Sequence, residues 1–400
     1  MIIITRIRSI FLLYSLFTGF VFIACNNTAK YESIKNYKTI NVLNKDNPIS
    51  IDIYEIVDSI TYIPLDTQDF LLDEVESVSF HDNKYLIKDR LGLSVFNHDG
   101  SFIAQISRKG EAPNEYIHMD CFCIDKINNR IGITSRLQNK IMYFSFYGEY
   151  LSKSTINGKD THFANMRILN NGEIMFYHPL SNTNIIRTCE YDLYSPNGNS
   201  FISTPIVEGI HNVSDNIYYP FLYNPMFARK DSLFFISALS NDVYKYANNE
   251  TEIIRIDIPQ IKITKDFLRK HKDMNFFDLR ELLIKKDMGL GITSITGNEN
   301  LLFASINNKY TLITDNQEAI LLSYVFNPDL NLYSDIALSG GASDDMVGFL
   351  SAQYIVEQYD KITNYKLREV AKGIKDEDNP IIYKYHFKKE LMSILKEKIE

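Results

Sequence analysis

The sequence contains no tryptophan, and its 400 residues include only 4 cysteines, 17 glycines and 11 prolines. So little glycine and proline excludes a collagen-like or linker-like chain. Positive charge is also scarce, because 42 lysines and arginines face 50 acidic residues and the net charge is −8. No basic stripe is available to neutralise phosphates, so the chain is not expected to bind nucleic acid.

Common catalytic motifs are missing as well. The sequence has no G-x-S-x-G nucleophile elbow, no H-E-x-x-H helix and no phosphate-binding P-loop. Its hydrophobic content of 45% is sufficient to fill a core. The 26 tyrosines and 25 phenylalanines, together with many isoleucines, favour β-structure. The composition therefore predicts a folded, largely β protein, and we expect a binding protein rather than an enzyme.

Long apolar runs are absent except at the N-terminus. Arg6 and Arg8 precede an apolar run over residues 10–24, which ends in a small residue before Cys25. This order predicts a lipoprotein signal peptide over residues 1–24, cleaved before a lipidated Cys25. The alternative is an uncleaved membrane helix, for which a run of about fifteen residues is short. The polar residues 25–45 are predicted to tether the lipid to the folded domain.

The other three cysteines cannot all pair with one another, because their number is odd. Cys121 and Cys123 flank Phe122 in an alternating pattern, which predicts small buried residues on a strand. No histidine lies at a spacing suited to a zinc site with them. Neither a metal nor another cofactor is therefore expected.

A unit of about fifty residues recurs along the chain. Each copy has an apolar strand, a polar break, a second strand, a turn and a third strand, and its turn residues are separated by 48, 50 and 50 positions: Gly100, Gly148, Gly198 and Asn248. Such residues suit the positive φ of tight hairpins. Five copies between about residues 73 and 330 predict the four-stranded blades of a β-propeller.

The two ends of the chain supply the missing sixth blade in this interpretation. Strands near residues 51–63 and 380–387 are predicted to pair in one mixed blade that closes the ring. Residues 264–286 and 349–373 have apolar side chains at helical spacing and are predicted as two helical insertions. The sequence thus predicts an all-β, six-bladed propeller over residues 46–390, followed by a C-terminal tail over residues 391–400.

Three segments carry a resemblance to a known family. Residues 58–66 (DSITYIPLD), 108–116 (RKGEAPNEY) and 377–382 (EDNPII) resemble the six-bladed β-propeller lipoproteins common in Bacteroidetes. The family usually has glycine where Ala112 stands here. The resemblance implies an accessory protein of the cell envelope, attached to the outer membrane. It also implies the periplasmic face, because no acidic cluster follows Cys25.

The middle segment contains the first candidate site. Gly110 and Pro113 predict a tight connection between blades, beside which Arg108, Glu115 and Tyr116 would project. An arginine can bind a carboxylate through two hydrogen bonds, and a tyrosine can stack on a ligand or hydrogen-bond to it. Together these residues would form a ligand-binding site. The alternative is a structural latch in which Glu115 pairs with Arg108 or with backbone amides.

Three further residues are candidates for binding. Asp89 and Tyr177 occupy comparable positions in two repeats and are predicted to approach the axial channel, whereas His118 follows the middle segment and lies near Asp120. A channel with so few carboxylates is a poor site for metal-dependent hydrolysis. A histidine beside an aspartate in a loop is more often a satisfied pair than a catalytic base.

The sequence therefore predicts a monomeric, lipid-anchored propeller that binds a ligand or a partner protein. A glycan, a peptide or an outer-membrane transport complex would each fit. The alternative function is a hydrolase or lyase that acts on glycans. Clustered acidic and histidine side chains around the channel mouth would favour the enzyme, whereas tyrosine, asparagine and serine would favour binding.

Overall fold

The computed structural model describes residues 36–106, 109–112, 114–156, 164–178, 191–197, 200–207, 222–237, 240–258, 265–271, 274, 276–286, 288–289, 291–306, 309–334 and 346–400. The predicted signal peptide, Cys25, Arg108, Cys189 and Gly198 lie outside these residues. Within them the chain is mostly β-strand, as the composition predicts. No helix in the described part is long and apolar enough to cross a membrane.

Five antiparallel units of four strands follow one another in the described chain. The first unit comprises β4 (Val75–His81), β5 (Lys84–Asp89), β6 (Leu93–Asn97) and β7 (Phe102–Gln105). The second comprises β8 (Phe122–Asp125), β9 (Arg130–Ser135), β10 (Lys140–Phe144) and β11 (Tyr150–Thr155). The third comprises β12 (Asn165–Ile168), β13 (Ile174–Tyr177), β14 (Tyr191–Asn197) and β15 (Ser200–Val207).

The same order continues in the fourth and fifth units. The fourth comprises β16 (Met226–Arg229), β17 (Ser232–Ile236), β18 (Asp242–Ala247) and β19 (Glu250–Asp257). The fifth comprises β20 (Ile292–Gly297), β21 (Leu302–Ile306), β22 (Tyr310–Thr314) and β23 (Glu318–Asn327), with β24 (Leu332–Ser334) beside β23. The predicted turn residues Gly100, Gly148 and Asn248 have φ values of 90°, 83° and 52°, as hairpin turns require.

Strands from the two ends of the chain share a further sheet. The central strand β26 (Ile381–Phe387) pairs antiparallel with β3 (Val57–Pro64) on one side and with β25 (Val347–Leu350) on the other. Ile382 lies opposite Ile63, and Tyr385 lies opposite Ile60. The pairing of N- and C-terminal strands therefore agrees with the prediction.

The folded part begins earlier than the predicted boundary at residue 46. Strand β1 (Asn36–Val42) lies within the predicted tether, yet it pairs in parallel with both β19 and β23. Its Ile40 and Val42 are buried, because alternate side chains of this strand face the core. Strand β2 (Ile49–Asp52) then pairs in parallel with β23. Two short N-terminal strands therefore bind to the outer strands of the fourth and fifth units.

Six α-helices occur in the described residues: α1 (Ile53–Ile56), α2 (Lys265–Lys270), α3 (Phe276–Lys285), α4 (Ala352–Gln358), α5 (Tyr365–Ala371) and α6 (Leu391–Ile399). Helices α2 and α3 fall within the first predicted insertion. The single helix predicted over residues 349–373 is wrong, because β25 occupies its start and Asn364 caps a separate α5 by accepting from the Leu367 amide at 3.0 Å. The predicted C-terminal tail is also wrong, since α6 buries Leu391 and Leu395 in the core.

A buried carboxylate joins the N-terminal and C-terminal elements. Asp329 follows β23, and its Oδ2 accepts from the hydroxyls of Tyr54 at 2.5 Å and Tyr62 at 2.7 Å. The side-chain amide of Asn364 donates to the same oxygen at 3.0 Å. Burial and the neighbouring carboxylate raise the pKa of both tyrosines. Asp329 thereby fixes α1, β3 and the start of α5 around one atom.

Candidate functional site

A cleft lies where the first strands of four units meet. Strand β12 contacts β8 on one side and β16 on the other, and β16 also contacts β20. At the C-terminal ends of these strands, the turns into the second strands surround a cleft of about 670 Å³. This volume is within the range of small-ligand sites.

Amide side chains are the most numerous uncharged polar groups in the lining of this cleft, which we call the turn cleft. Five asparagines border it, namely Asn170, Asn171, Asn248, Asn249 and Asn298. Ser232 and Tyr246 add hydroxyl groups to the lining. An amide offers both donors and an acceptor, so this lining can bind a ligand that does the same. Described histidines are absent from the lining.

Tight hairpin geometry places several of these side chains. Asn248 and Asn249 form the two-residue turn between β18 and β19, with φ values of 52° and 61°. Asparagine tolerates this left-handed conformation better than most residues, which explains its use at the turn. Lys230 has a φ of 51° in the turn between β16 and β17 and presents a cation beside the cleft.

Two of the three carboxylates in the turn cleft have hydrogen-bond partners. Asp125 is buried, and its Oδ2 accepts from the Arg130 Nε at 2.7 Å and from the Asn128 side chain at 2.8 Å. Asp231 accepts from the Asn170 side chain at 2.5 Å. These bonds hold both carboxylates in place beside the cleft.

The Arg229 side chain in this lining has a buried donor without a hydrogen-bond partner among the described residues. Its guanidinium lies 4.6 Å from the centre of the Phe234 ring. The Nη1 atom is buried, and none of the described residues supplies it with an acceptor. Burial lowers the pKa of Arg229. The ring contact fixes the guanidinium at the cleft while one donor remains available.

A second, smaller cleft of about 310 Å³ lies at the N-terminal ends of β8, β12 and β16 and also borders the first unit at Glu76, Ser77 and Lys88. Arg167 borders both clefts. Its Nη1 donates to the Met166 carbonyl and its Nη2 to the Met226 carbonyl, both at 3.0 Å. Burial lowers the pKa of Arg167 to about 10. This arginine therefore ties β12 to β16 between the two clefts.

The predicted middle segment forms a closed loop. The Gly110 amide donates to the Tyr116 carbonyl and the Glu115 amide donates to the Ala112 carbonyl, both at 2.9 Å. The Glu115 carboxylate accepts from the Ala112 amide at 3.0 Å, and the Lys140 ammonium donates to the Glu115 carbonyl at 3.0 Å. The contacts of Glu115 are thus those of the structural alternative, in which it pairs with backbone amides.

Tyr116 and Asp89 lie close together inside the first two units. The Tyr116 ring is buried, and its hydroxyl has no hydrogen-bond partner among the described residues. Burial, and then the Asp89 charge, raise the pKa of Tyr116 to about 12. Asp89 accepts from the amides of Leu91 at 3.0 Å, Gly92 at 2.7 Å and Asp73 at 2.9 Å. Both residues are engaged in holding the local structure.

The remaining predicted residues are dispersed. His118 is exposed, and its Nδ1 lies 3.7 Å from the Asp120 carboxylate. Tyr177 is buried, packs against Tyr191 with ring centres 5.3 Å apart, and borders the second cleft. It is the only predicted site residue among the described residues that line the two clefts. Asp89, Glu115, Tyr116 and His118 are not among the residues that line either cleft.

Sequence reasoning missed the residues that line the turn cleft. The available signal was positional, because Asn170, Lys230 and Asn298 occupy the turn between the first and second strands in successive units. No described cluster of three histidine, cysteine or acidic side chains is arranged to hold a metal ion.

A family model described as a domain of unknown function (DUF4934) matches residues 37–386. The chain is similar to the Bacteroides fragilis protein BF0058, whose name describes it as exported, with 19% identity and a TM-score of 0.65 over 88% of this chain and 99% of that one. This likeness shows a shared fold. No curated protein matches the chain.

Two weaker structural similarities have TM-scores under 0.5. A member of the DUF4221 family from Bacteroides vulgatus has 10% identity and a TM-score of 0.46, covering 83% of this chain and 97% of its own. The β-propeller domain of Swd1 from Myceliophteria thermophila has 9% identity and a TM-score of 0.38, covering 65% and 73%.

Proposed function

We propose that this chain, which belongs to the DUF4934 family, is a lipid-anchored six-bladed β-propeller of the cell envelope that binds a polar ligand in the turn cleft. The observation that carries the proposal is the lining of that cleft. Asparagine, serine and tyrosine supply seven of its polar side chains, and two of its three carboxylates are already paired. This composition is what a ligand-binding mouth requires, whereas a hydrolase needs free acid and base groups.

The strand order supports the propeller. Five successive four-stranded antiparallel units and the strands that join β3 to β26 together provide six blade-like units. Strand β1 and a β11–β15 pairing link four of these units into two larger sheets. The first strands β8, β12, β16 and β20 are neighbours, as the inner strands of propeller blades are. Pairing of the two chain ends in the last sheet is how such a ring is closed.

Lipidation at Cys25 would attach this domain to the outer membrane, on the periplasmic side that the family resemblance implies. The proposal rests on the charged start and short apolar run of residues 1–24. A tethered binding domain suits an accessory role beside an outer-membrane transport complex. Metabolic labelling with an alkyne fatty acid tests the anchor: labelling should be lost in Cys25→Ala and retained in Cys189→Ala. Equal labelling of both variants would contradict lipidation at Cys25.

Membrane pull-down with the lipidated protein tests the accessory role. Recovery of an outer-membrane transporter is the expected result. If no envelope protein is enriched over a control lipoprotein, the transport role is wrong, although ligand binding remains a separate question.

Ligand binding is tested with the purified mature protein on glycan and peptide arrays. Asn170 is exposed and borders the turn cleft, so Asn170→Trp should fill the cleft and abolish binding. The matched control is Asn41→Trp, an exposed position on β1. Binding by the control but not by the cleft variant supports the proposal. Equal binding by both variants would show that the ligand sits elsewhere, and a blank array for the unaltered protein would contradict a glycan or peptide ligand.

A further inference from the structure

We infer that the ligand of the turn cleft is an acidic oligosaccharide, bound through its carboxylate or sulfate oxygens by Arg229. This inference rests on the proposed function and names the chemical class of its ligand. Three features of the cleft support it: its charge balance, the buried Nη1 of Arg229 and the hydrogen-bonding character of its lining.

The cleft is locally positive in a chain of net charge −8. Its described lining contains four cations, namely Lys126, Arg167, Arg229 and Lys230, against three acids, namely Asp125, Asp231 and Glu299. Arg130, which is not part of the lining, pairs with Asp125 and removes one of these negative charges from the balance. A concave surface with an excess of one sign concentrates ligands of the other sign.

Arg229 is the residue best placed to meet an anion. The Phe234 ring holds its guanidinium in the cleft wall, and the buried Nη1 has no acceptor among the described residues. A buried donor without an acceptor is unfavourable, so a ligand oxygen that reaches it restores a lost hydrogen bond. Guanidinium groups bind carboxylate and sulfate-type oxygens with two parallel bonds, which adds geometric selectivity.

The remainder of the lining favours a sugar chain over a peptide. Five asparagine side chains donate and accept at once, as sugar hydroxyl groups also do. Peptide recognition commonly relies on apolar pockets for anchoring side chains, and here the large aromatic Phe227 is buried rather than presented to a ligand. Acidic peptides are nevertheless included as a competing class in the test.

The test is a glycan array in which every acidic oligosaccharide has a neutral counterpart, with its carboxylate reduced or its sulfate removed. Acidic peptides of equal charge are printed beside them. We expect binding to acidic sugars only, weakened by high salt. Arg229→Gln should weaken binding about tenfold or more, as expected for loss of a charged hydrogen bond. The matched control is Arg90→Gln, an exposed arginine paired with Asp73 outside the turn cleft.

Each other outcome has a distinct meaning. Equal binding of neutral and acidic sugars, abolished by Asn170→Trp, overturns this inference and leaves the proposed function intact. Binding of acidic peptides alone overturns the sugar class. Acidic binding that is unchanged in Arg229→Gln overturns the role of Arg229. Binding to no member of the array contradicts both the inference and the proposed function.

Discussion

Replacing Asp329 with alanine should be among the most damaging single changes outside the hydrophobic core. The substitution removes the oxygen that accepts from Tyr54, Tyr62 and Asn364. Tyr62 is buried, so its hydroxyl would be left without an acceptor, whereas Tyr54 and Asn364 are only half-buried and can turn towards water.

The magnitude follows from these three bonds. A hydrogen bond to a charged group contributes about 1.5–3 kcal/mol of net stability. Bonds that share one oxygen are not additive, and two of the donors can regain water. We therefore expect Asp329→Ala to lower the free energy of unfolding by about 3–5 kcal/mol. Asp329→Asn keeps a neutral acceptor, so its cost should be about half as large.

Chemical denaturation monitored by circular dichroism measures this effect. Asp58→Ala is the control, because Asp58 is an exposed acid on β3 in the same region, and such changes stay within about 0.5 kcal/mol. A double-mutant cycle with Tyr62→Phe should show a coupling energy well above zero. If Asp329→Ala costs no more than Asp58→Ala, the carboxylate does not hold these elements together and the reasoning is refuted.

Three further predictions concern other parts of the fold. Gly100 has a φ of 90°, and an added Cβ would lie 2.1 Å from the Pro64 carbonyl oxygen. Gly373 has a similar φ of 88° but open space around it. Gly100→Ala should therefore lower the melting temperature clearly more than Gly373→Ala. Tyr116→Phe should leave stability at pH 7 nearly unchanged, because the hydroxyl has no partner among the described residues. Burial raises the pKa of Tyr116 to about 12. The Tyr116 contribution to stability is therefore complete below about pH 10 and declines as the pH rises towards about 12. Tyr116→Phe should remove this decline and flatten the dependence of stability on alkaline pH. Ile40→Asp should release β1 from its two neighbouring strands, increasing amide hydrogen exchange over residues 36–42, while a solvent-facing Asn41→Asp should not.

The repeat could be predicted from the sequence because its turns have local causes. Glycine and asparagine are favoured where φ is positive, so Gly100, Gly148 and Asn248 marked the hairpins correctly. Alternating apolar residues then identified the strands on either side. The boundary between α4 and α5 was harder to predict from the sequence. Apolar residues continue at helical spacing up to the Asn364 cap and conceal the end of α4.

Long-range pairing explains the other errors. Residues 36–42 look polar in isolation, and only Ile40 and Val42 alternate towards the core. That they form a strand depends on β19 and β23, which lie more than two hundred residues later. The turn cleft has the same origin, because its lining comes from turns of four units that are far apart in sequence. No local pattern could place Asn170, Arg229 and Asn298 together.

Hydrogen–deuterium exchange with an acidic oligosaccharide selected on the array tests the central claim most directly. The cleft is built from backbone turns, so a bound ligand should slow exchange at residues 126–129, 169–173, 230–231, 248–249 and 298–301. Residues 120–122 and 222–225, which border the second cleft at the opposite ends of the strands, should be unaffected. Protection confined to the turns of the turn cleft is the predicted result. Protection at the second cleft, or none at the turns, would contradict the account.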